Sequence, residues 1–219
     1  MTMKEAMEQR HMVRKYTDCP IPEALTAQLR ERIQAYNAAQ GLSIRLMTGD
    51  SRAFSPIIKL LLAKGVQNYF IMCGENSPEL EEKCGYWGAE LMLFAQTLGL
   101  NTWWVGGTFD RKTTSALTGG KKVVGVIAVG YGRTQGVPHK SKSPEDVSLY
   151  RGEEPQWFQE GVAAALLAPT ALNKQAFFLR GEADRVSLTC DNGIFTGVDT
   201  GLVKYHFELG AGKEHFRWT

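Results

Sequence analysis

From Trp87 to Leu98 (WGAELMLFAQTL) apolar residues fall on nearly every face of a helical wheel. A helix of that kind is stable only where protein covers it on all sides. The stretch Pro78 to Leu98 is therefore expected to contain a central, buried helix that stops at Gly99, and the rest of the chain must supply its covering. With 219 residues and 43% hydrophobic content there is material for one large domain, or for two tightly merged halves.

The flanking segments carry both helical and strand periodicities. Thr2-Met3-Lys4-Glu5 has the form of a capping box and opens a short helix running to about Arg10. Pro22 suits the first position of a helix with Leu25, Leu29, Ile33 and Tyr36 on one face, ending before Gly41. Ser55 to Ala63 reads as a further helix. Strands are expected at Ser43–Thr48, Val66–Cys73, Thr102–Val105 and Val123–Val129, where β-branched and aromatic residues cluster. Beyond a polar, basic loop at Gln135–Pro144 come a helix (about Gln156 to Leu167), two strands (Gln175–Arg180 and Arg185–Cys190) and a helix from Val198 to Leu209. Helices and strands mix without βαβ alternation. The expectation is an α+β layered fold over residues 1–219, a central mixed or antiparallel sheet flanked by helices, and not a doubly wound sheet. No short repeat is visible, although both parts contain helix, strand, strand, helix.

Several function classes drop out. A formal net charge of +2 leaves no bulk basic field for nucleic acid or a membrane surface. The first residues hold no apolar run resembling a signal peptide, and no stretch approaches the roughly 18 apolar residues of a membrane span. Cys19, Cys73, Cys84 and Cys190 form no CxxC pair and have no histidines at zinc-ligand spacing, so no metal site is expected and a reducing cytoplasm fits. Gly130-Tyr131-Gly132 follows a strand but continues Arg133-Thr134-Gln135, without the third glycine and helix of a dinucleotide fingerprint. There is no Walker A motif.

Four segments remain that carry chemistry. In Arg10-His11-Met12-Val13-Arg14 two guanidinium forks lie four apart, on one side of a helix or convergent across a helix-to-strand turn, and such forks suit phosphate. The bland alternative is a solvated basic helix end. His139-Lys140-Ser141-Lys142 sits beyond a strand end, as a phosphate contact or an exposed basic loop. Leu98 to Gly107 sets an aromatic run before Gly106-Gly107, where backbone can approach a planar ligand or turn around a bulky core. Ala168-Pro169-Thr170-Ala171-Leu172-Asn173-Lys174-Gln175 aligns hydroxyl and amide groups after a proline stop, in a ligand-reading row or a plain turn.

Together these segments resemble the FMN-dependent nitroreductase family. Arg10 to Tyr16 is similar to its opening R-x-S-x-R-x-[FY] motif, and Leu98 to Gly107 to its Gly-Leu, aromatic, Gly segment. Val126–Tyr131 with Lys140-Ser141-Lys142 resembles its late strand and basic tail, and Ala168–Gln175 its A-P-S-x-x-N-x-Q-P motif. Met12 replaces the usual serine, Ala176 the usual proline, and the A-P-S-like segment comes last, as in a divergent branch with rearranged motif order. The resemblance implies FMN. Its phosphate would be held by Arg10, Arg14, Lys140 and Lys142, with His11 a further cofactor contact. Val105, Gly106 and Gly107 would lie against the ring, and Pro169, Thr170 and Asn173 would meet it from the other side. It also implies an NAD(P)H oxidoreductase that reduces nitroaromatics, quinones or similar electron-poor acceptors by a ping-pong hydride mechanism, with no side chain assigned as general acid or base. Oxygen-using or dehalogenating chemistry on the same fold, and non-catalytic flavin binding, are the alternatives. Ordinary members hold FMN at a homodimer interface. Here the halves 1–150 and 151–219 are expected to take the parts of two subunits, in a monomeric pseudo-dimer or a homodimer.

Overall fold

A computed structural model describes residues 1–219. Helix α1 (Met3–Gln9) opens with the expected capping box, Thr2 and Glu5 each bonding the other's backbone N–H. Helix α2 (Glu23–Gln40) begins one residue after Pro22 and ends where Gly41 takes a left-handed φ of 67°. Then follow β1 (Arg45–Met47), α3 (Pro56–Leu61, capped by Ser55), β2 (Tyr69–Gly74), α4 (Leu80–Thr97), β3 (Asn101–Val105), α5 (Arg111–Leu117) and β4 (Lys122–Gly130). The four strands form one antiparallel sheet in the order β1-β2-β4-β3. Strand β2 starts later than the apolar run from Val66: Gly65 turns left-handed (φ 76°), and the Gly49 N–H donates to the Asn68 side-chain oxygen.

The second part comprises α6 (Pro144–Val147), β5 (Ser148–Arg151), α7 (Gln156–Ala165), β6 (Phe177–Glu182), β7 (Arg185–Cys190), α8 (Thr196–Ala211) and β8 (Arg217–Trp218). Its sheet, order β5-β6-β7-β8, is mixed: β6–β7 is an antiparallel hairpin and both outer pairs are parallel. The layered α+β architecture thus has two sheets, one antiparallel and one mixed. Neither α5 nor β5 shows a clear period in sequence. The 150/151 junction falls inside β5, whose partner β6 belongs to the second sheet, so the sheets divide earlier, near Ser143.

Helix α4 lies where its sequence requires. Cys84, Ala89, Leu91, Met92, Leu93 and Ala95 are all inaccessible to solvent. It packs against α8 backbone to backbone: a Cβ on Gly85 would lie 2.2 Å from the Val198 carbonyl oxygen, and one on Gly201 would lie 2.0 Å from that of Glu82. Such distances are impossible for any side chain, so this joint requires glycine. One core runs through both parts, with Met92 of α4, Ile127 of β4, Leu179 of β6 and Leu202 of α8 in a single cluster. A second, smaller core with Tyr69, Trp103 and Val126 covers the opposite face of the first sheet. No helix is long and apolar enough to cross a membrane.

Candidate functional site

A cavity of about 550 Å³ opens where four elements meet: the extended segment after α1, the end of β3, the turn after α7, and the first half of α8. Past α1 the chain runs beside β3, with Met12 bridging Thr102 in parallel and the Val13 N–H donating to the Thr102 carbonyl at 3.3 Å. Extended backbone alternates its side chains. Arg10, Met12 and Arg14 therefore face the cavity while Val13 enters the core.

Arg10 is only 6% exposed, and its guanidinium has no hydrogen-bond acceptor or carboxylate partner in the protein. Burial lowers its pKa to about 10, so it keeps its charge at neutral pH. A buried cation left unpaired is unfavourable by itself, and the arrangement fits an anion that enters from the cavity. Arg10 also helps hold His11 in its neutral form, after the larger effect of burial. Arg14 is exposed, with its guanidinium carbon 5.2 Å from the centroid of the Trp103 ring.

At the end of β3 the wall consists of Trp103, Trp104, Val105, Gly106, Gly107 and Thr108. Trp104 packs over Gly88 of α4, where a Cβ would lie 2.3 Å from the ring. Gly106 is explained by protein packing, since a Cβ there would lie 2.6 Å from the Phe195 ring. At Gly107 a Cβ would meet only the edge of the same ring, at 3.9 Å, an ordinary contact.

The opposite wall is Pro169 to Asn173, a turn with unusual backbone. Leu172, Asn173 and Gln175 have φ of 53°, 54° and 47°, a region that costs most non-glycine residues energy and needs outside support. Asn173 Nδ2 donates to the Lys140 carbonyl at 2.7 Å. Buried Gln175 donates its N–H to Thr170 Oγ1 and its side-chain amide to the Leu166 carbonyl. The Ala171 N–H donates to Asp199 Oδ1 at 2.9 Å.

Helix α8 contributes Val198, Asp199 and Leu202 at helical spacing, and Phe195, its N-cap residue, adds a ring beside them. Burial raises the pKa of Asp199 to about 6, against the opposing pull of the Ala171 N–H.

Of the residues singled out from sequence, the structure brings Arg10, Arg14, Val105, Gly106 and Gly107 together with Pro169, Thr170 and Asn173 along this one cavity. His11, Lys140 and Lys142 do not line it. Lys142 donates its ammonium to the Gln175 carbonyl at 2.8 Å, and Lys140 is exposed with only its carbonyl engaged, so the basic loop supports the turn from outside. Gln175, read from sequence as a ligand-facing amide, is likewise used up in internal hydrogen bonds. Sequence reasoning missed His139, Phe195 and Asp199. His139 stood in a segment noted for its lysines, and Asp199 looks like an ordinary first-turn acid.

Three solved structures, all described as "putative nitroreductase", share this fold. The protein from Thermotoga maritima is 20% identical and aligns with 96% of this chain and 83% of its own, at a TM-score of 0.71. Those from Desulfovibrio desulfuricans (19% identical, 71% of this chain and 98% of its own) and Exiguobacterium sibiricum (15%, 67% and 95%) both give 0.54, and each was crystallised with FMN. None of the curated proteins matches the sequence. The family model described as "Putative TM nitroreductase" spans residues 2–211, nearly the whole chain, and the protein therefore belongs to that nitroreductase family.

Proposed function

We propose that this chain binds FMN in the cavity between its two parts. It would use NAD(P)H to reduce nitroaromatics, quinones or similar electron-poor acceptors in ping-pong fashion. The observation that carries the reading is Arg10: a buried, charged guanidinium without a protein acceptor, facing a cavity of about 550 Å³. The fit extends to the rest of the wall. Trp103, Trp104 and Val105 offer apolar surface for a planar ring, while Thr170 and Asn173 place polar atoms opposite.

When bound, FMN supplies the centre that accepts and releases hydride. The chain's own residues do the rest. Arg10, desolvated, gives the strongest charge-assisted bonds to the phosphate, and exposed Arg14 adds a screened one. The tryptophans and Leu202 exclude water from the ring. The turn at Pro169–Asn173, clamped by Gln175 and Asp199, presents a rigid polar wall. Lys142 acts one step back, through Gln175.

Both walls come from one chain, which supports a pseudo-dimer in which 1–150 and 151–219 take the parts of two subunits. Absorbance of the purified protein, followed by anaerobic addition of NADH or NADPH and then a nitroaromatic or quinone, tests the reading. Bound yellow flavin that bleaches and recovers is expected. A colourless protein that takes up no added FMN overturns it, and bound flavin that no nicotinamide reduces overturns the enzymatic part. Sedimentation tests the pseudo-dimer: an obligate dimer sharing FMN between chains excludes it.

A further inference from the structure

Nine large apolar side chains stand exposed, and their places are not scattered. Met12 and Leu172 lie on the cavity wall, and Ile194 precedes Phe195, which also lines it. Three more, Ile57, Leu60 and Leu61, belong to α3, whose C-cap residue Leu62 is part of the same wall. Single exposed hydrophobics are ordinary on a protein surface. A group gathered around one opening marks a place where something apolar binds.

Helix α3 shows the anomaly most plainly. Ile58 and Leu62, four residues apart, pack against the second core and fasten the helix down. Its outward stripe should then be polar. Instead Ile57, Leu60 and Leu61, at i, i+3 and i+4, are 69%, 76% and 68% exposed. A second element repeats the pattern. Leu172, on the wall that faces the end of β3, is 85% exposed although the clamped turn holds it at a φ of 53°. Such strain, kept at a cavity, fixes an apolar side chain at its mouth.

What covers this rim follows from the cavity it surrounds. With FMN in its depth, the cavity leaves room over the ring for little more than a planar, electron-poor head. A long substituent on that head must leave through the mouth and lie along the rim. Nitroaromatics without side chains make no use of such a surface. On the pseudo-dimer reading both walls come from one polypeptide, so no second copy is needed to complete the site.

Resting on the FMN reading above, we infer that the acceptor is a quinone with a long apolar side chain, its ring in the cavity and its tail along Ile57, Leu60, Leu61 and Leu172. The reaction balances as a two-electron reduction. NAD(P)H gives up a hydride and becomes NAD(P)⁺, while the quinone gains that hydride and a proton from water, and both its carbonyls become hydroxyls. The rim acts on KM. It holds substrate and transition state alike and leaves the chemical step untouched.

The test compares a dimethoxy-methyl-benzoquinone that has no tail with its decyl derivative, using the FMN-loaded chain and NADH or NADPH. The decyl compound should show a kcat/KM about tenfold higher or more, through KM, with kcat alike. The double variant Leu60→Ser, Leu61→Ser, at exposed positions, should remove most of that advantage. Leu149→Ser, at an exposed leucine on β5, should keep it. Equilibrium dialysis of both quinones against the oxidised protein reads the same preference without turnover. Equal KM for the two quinones in wild type overturns the inference, and so does an advantage that the α3 double variant keeps. Sedimentation covers the rival occupant: a wild-type dimer that this variant dissociates, with the quinone ratio unchanged, makes the stripe an interface between copies. A flavin-loaded protein that reduces neither quinone overturns the acceptor assignment alone, whereas a protein that binds no FMN overturns the reading beneath it.

Discussion

Lys142 grips Gln175 twice: its ammonium donates to the Gln175 carbonyl oxygen at 2.8 Å, and its backbone N–H donates to Gln175 Oε1 at 2.7 Å. The basic loop is thereby fastened to the turn that forms one wall of the cavity. Gln175→Leu leaves several of these groups unpaired and should cost about 2–4 kcal/mol. Lys142→Met should cost about 1 kcal/mol and Lys140→Met nearly nothing. Urea unfolding of the three variants checks the ranking, and a Lys140 variant as damaged as the Gln175 one contradicts it.

Arg10 should show opposite effects on stability and on binding. Removing an unpaired buried cation relieves the flavin-free protein, so Arg10→Met is expected to melt at a higher temperature in the absence of FMN. The same variant should lose the preference of wild type for FMN over riboflavin, which lacks the phosphate. Arg14→Ala, at an exposed site, should lose only part of it. Thermal melts of the flavin-free proteins, together with titrations of both flavins, test both halves.

The legible part of this fold was the part set by periodicity. The all-round apolar helix α4, the strand ending at Gly106-Gly107 and the hairpin of β6 and β7 follow from patterns of burial. The short helix α5 did not, since Arg-Lys-Thr-Thr-Ser-Ala-Leu has no apolar stripe and depends on Asp110 capping the Thr113 N–H. At the site, the placement of Arg10 and Arg14 was open in sequence between a helix face and an extended turn. The parallel bridge to Thr102 decides it, and no local pattern encodes that contact. The lysines were ambiguous in sequence, because exposed loop ammoniums look alike whether they meet a ligand or, as Lys142 does, a carbonyl. The left-handed backbone at Leu172 and Gln175 was invisible, as neither residue favours it.

His206 gives the fold an acid-sensitive point. It is fully buried, with Nδ1 bonded to the Leu202 carbonyl at 2.8 Å and Nε2 unpartnered, and burial pulls its pKa down to about 3. The unfolded chain takes up that proton near pH 6.5 and the folded one does not, so between these values the unfolded state binds more protons and stability falls as pH drops. Asp199, raised to about 6, works in the opposite sense between roughly pH 4 and 6 and offsets part of the loss. His206→Gln should flatten the fall in urea midpoint from pH 6.5 to 4. An unchanged pH slope assigns the sensitivity elsewhere.

The α4–α8 joint should tolerate no side chain. Gly201→Ala puts a methyl 2.0 Å from the Glu82 carbonyl oxygen and 2.5 Å from the Tyr86 nitrogen, and only movement of one helix relieves it. A loss of about 3 kcal/mol is expected, with weakened FMN binding because Asp199 rides on the displaced helix. Gly193→Ala, whose nearest neighbour is 3.9 Å away, is the control and should unfold like wild type.

On the pseudo-dimer reading, the cavity is walled by distant stretches of a single polypeptide, and dilution leaves it whole. Its occupancy should follow ligand concentration alone, not protein concentration. A substitution on one wall also has no symmetric twin. Residues near Arg10 and residues near Asp199 can each change once, independently, an evolutionary freedom closed to a pocket that two identical copies must build together.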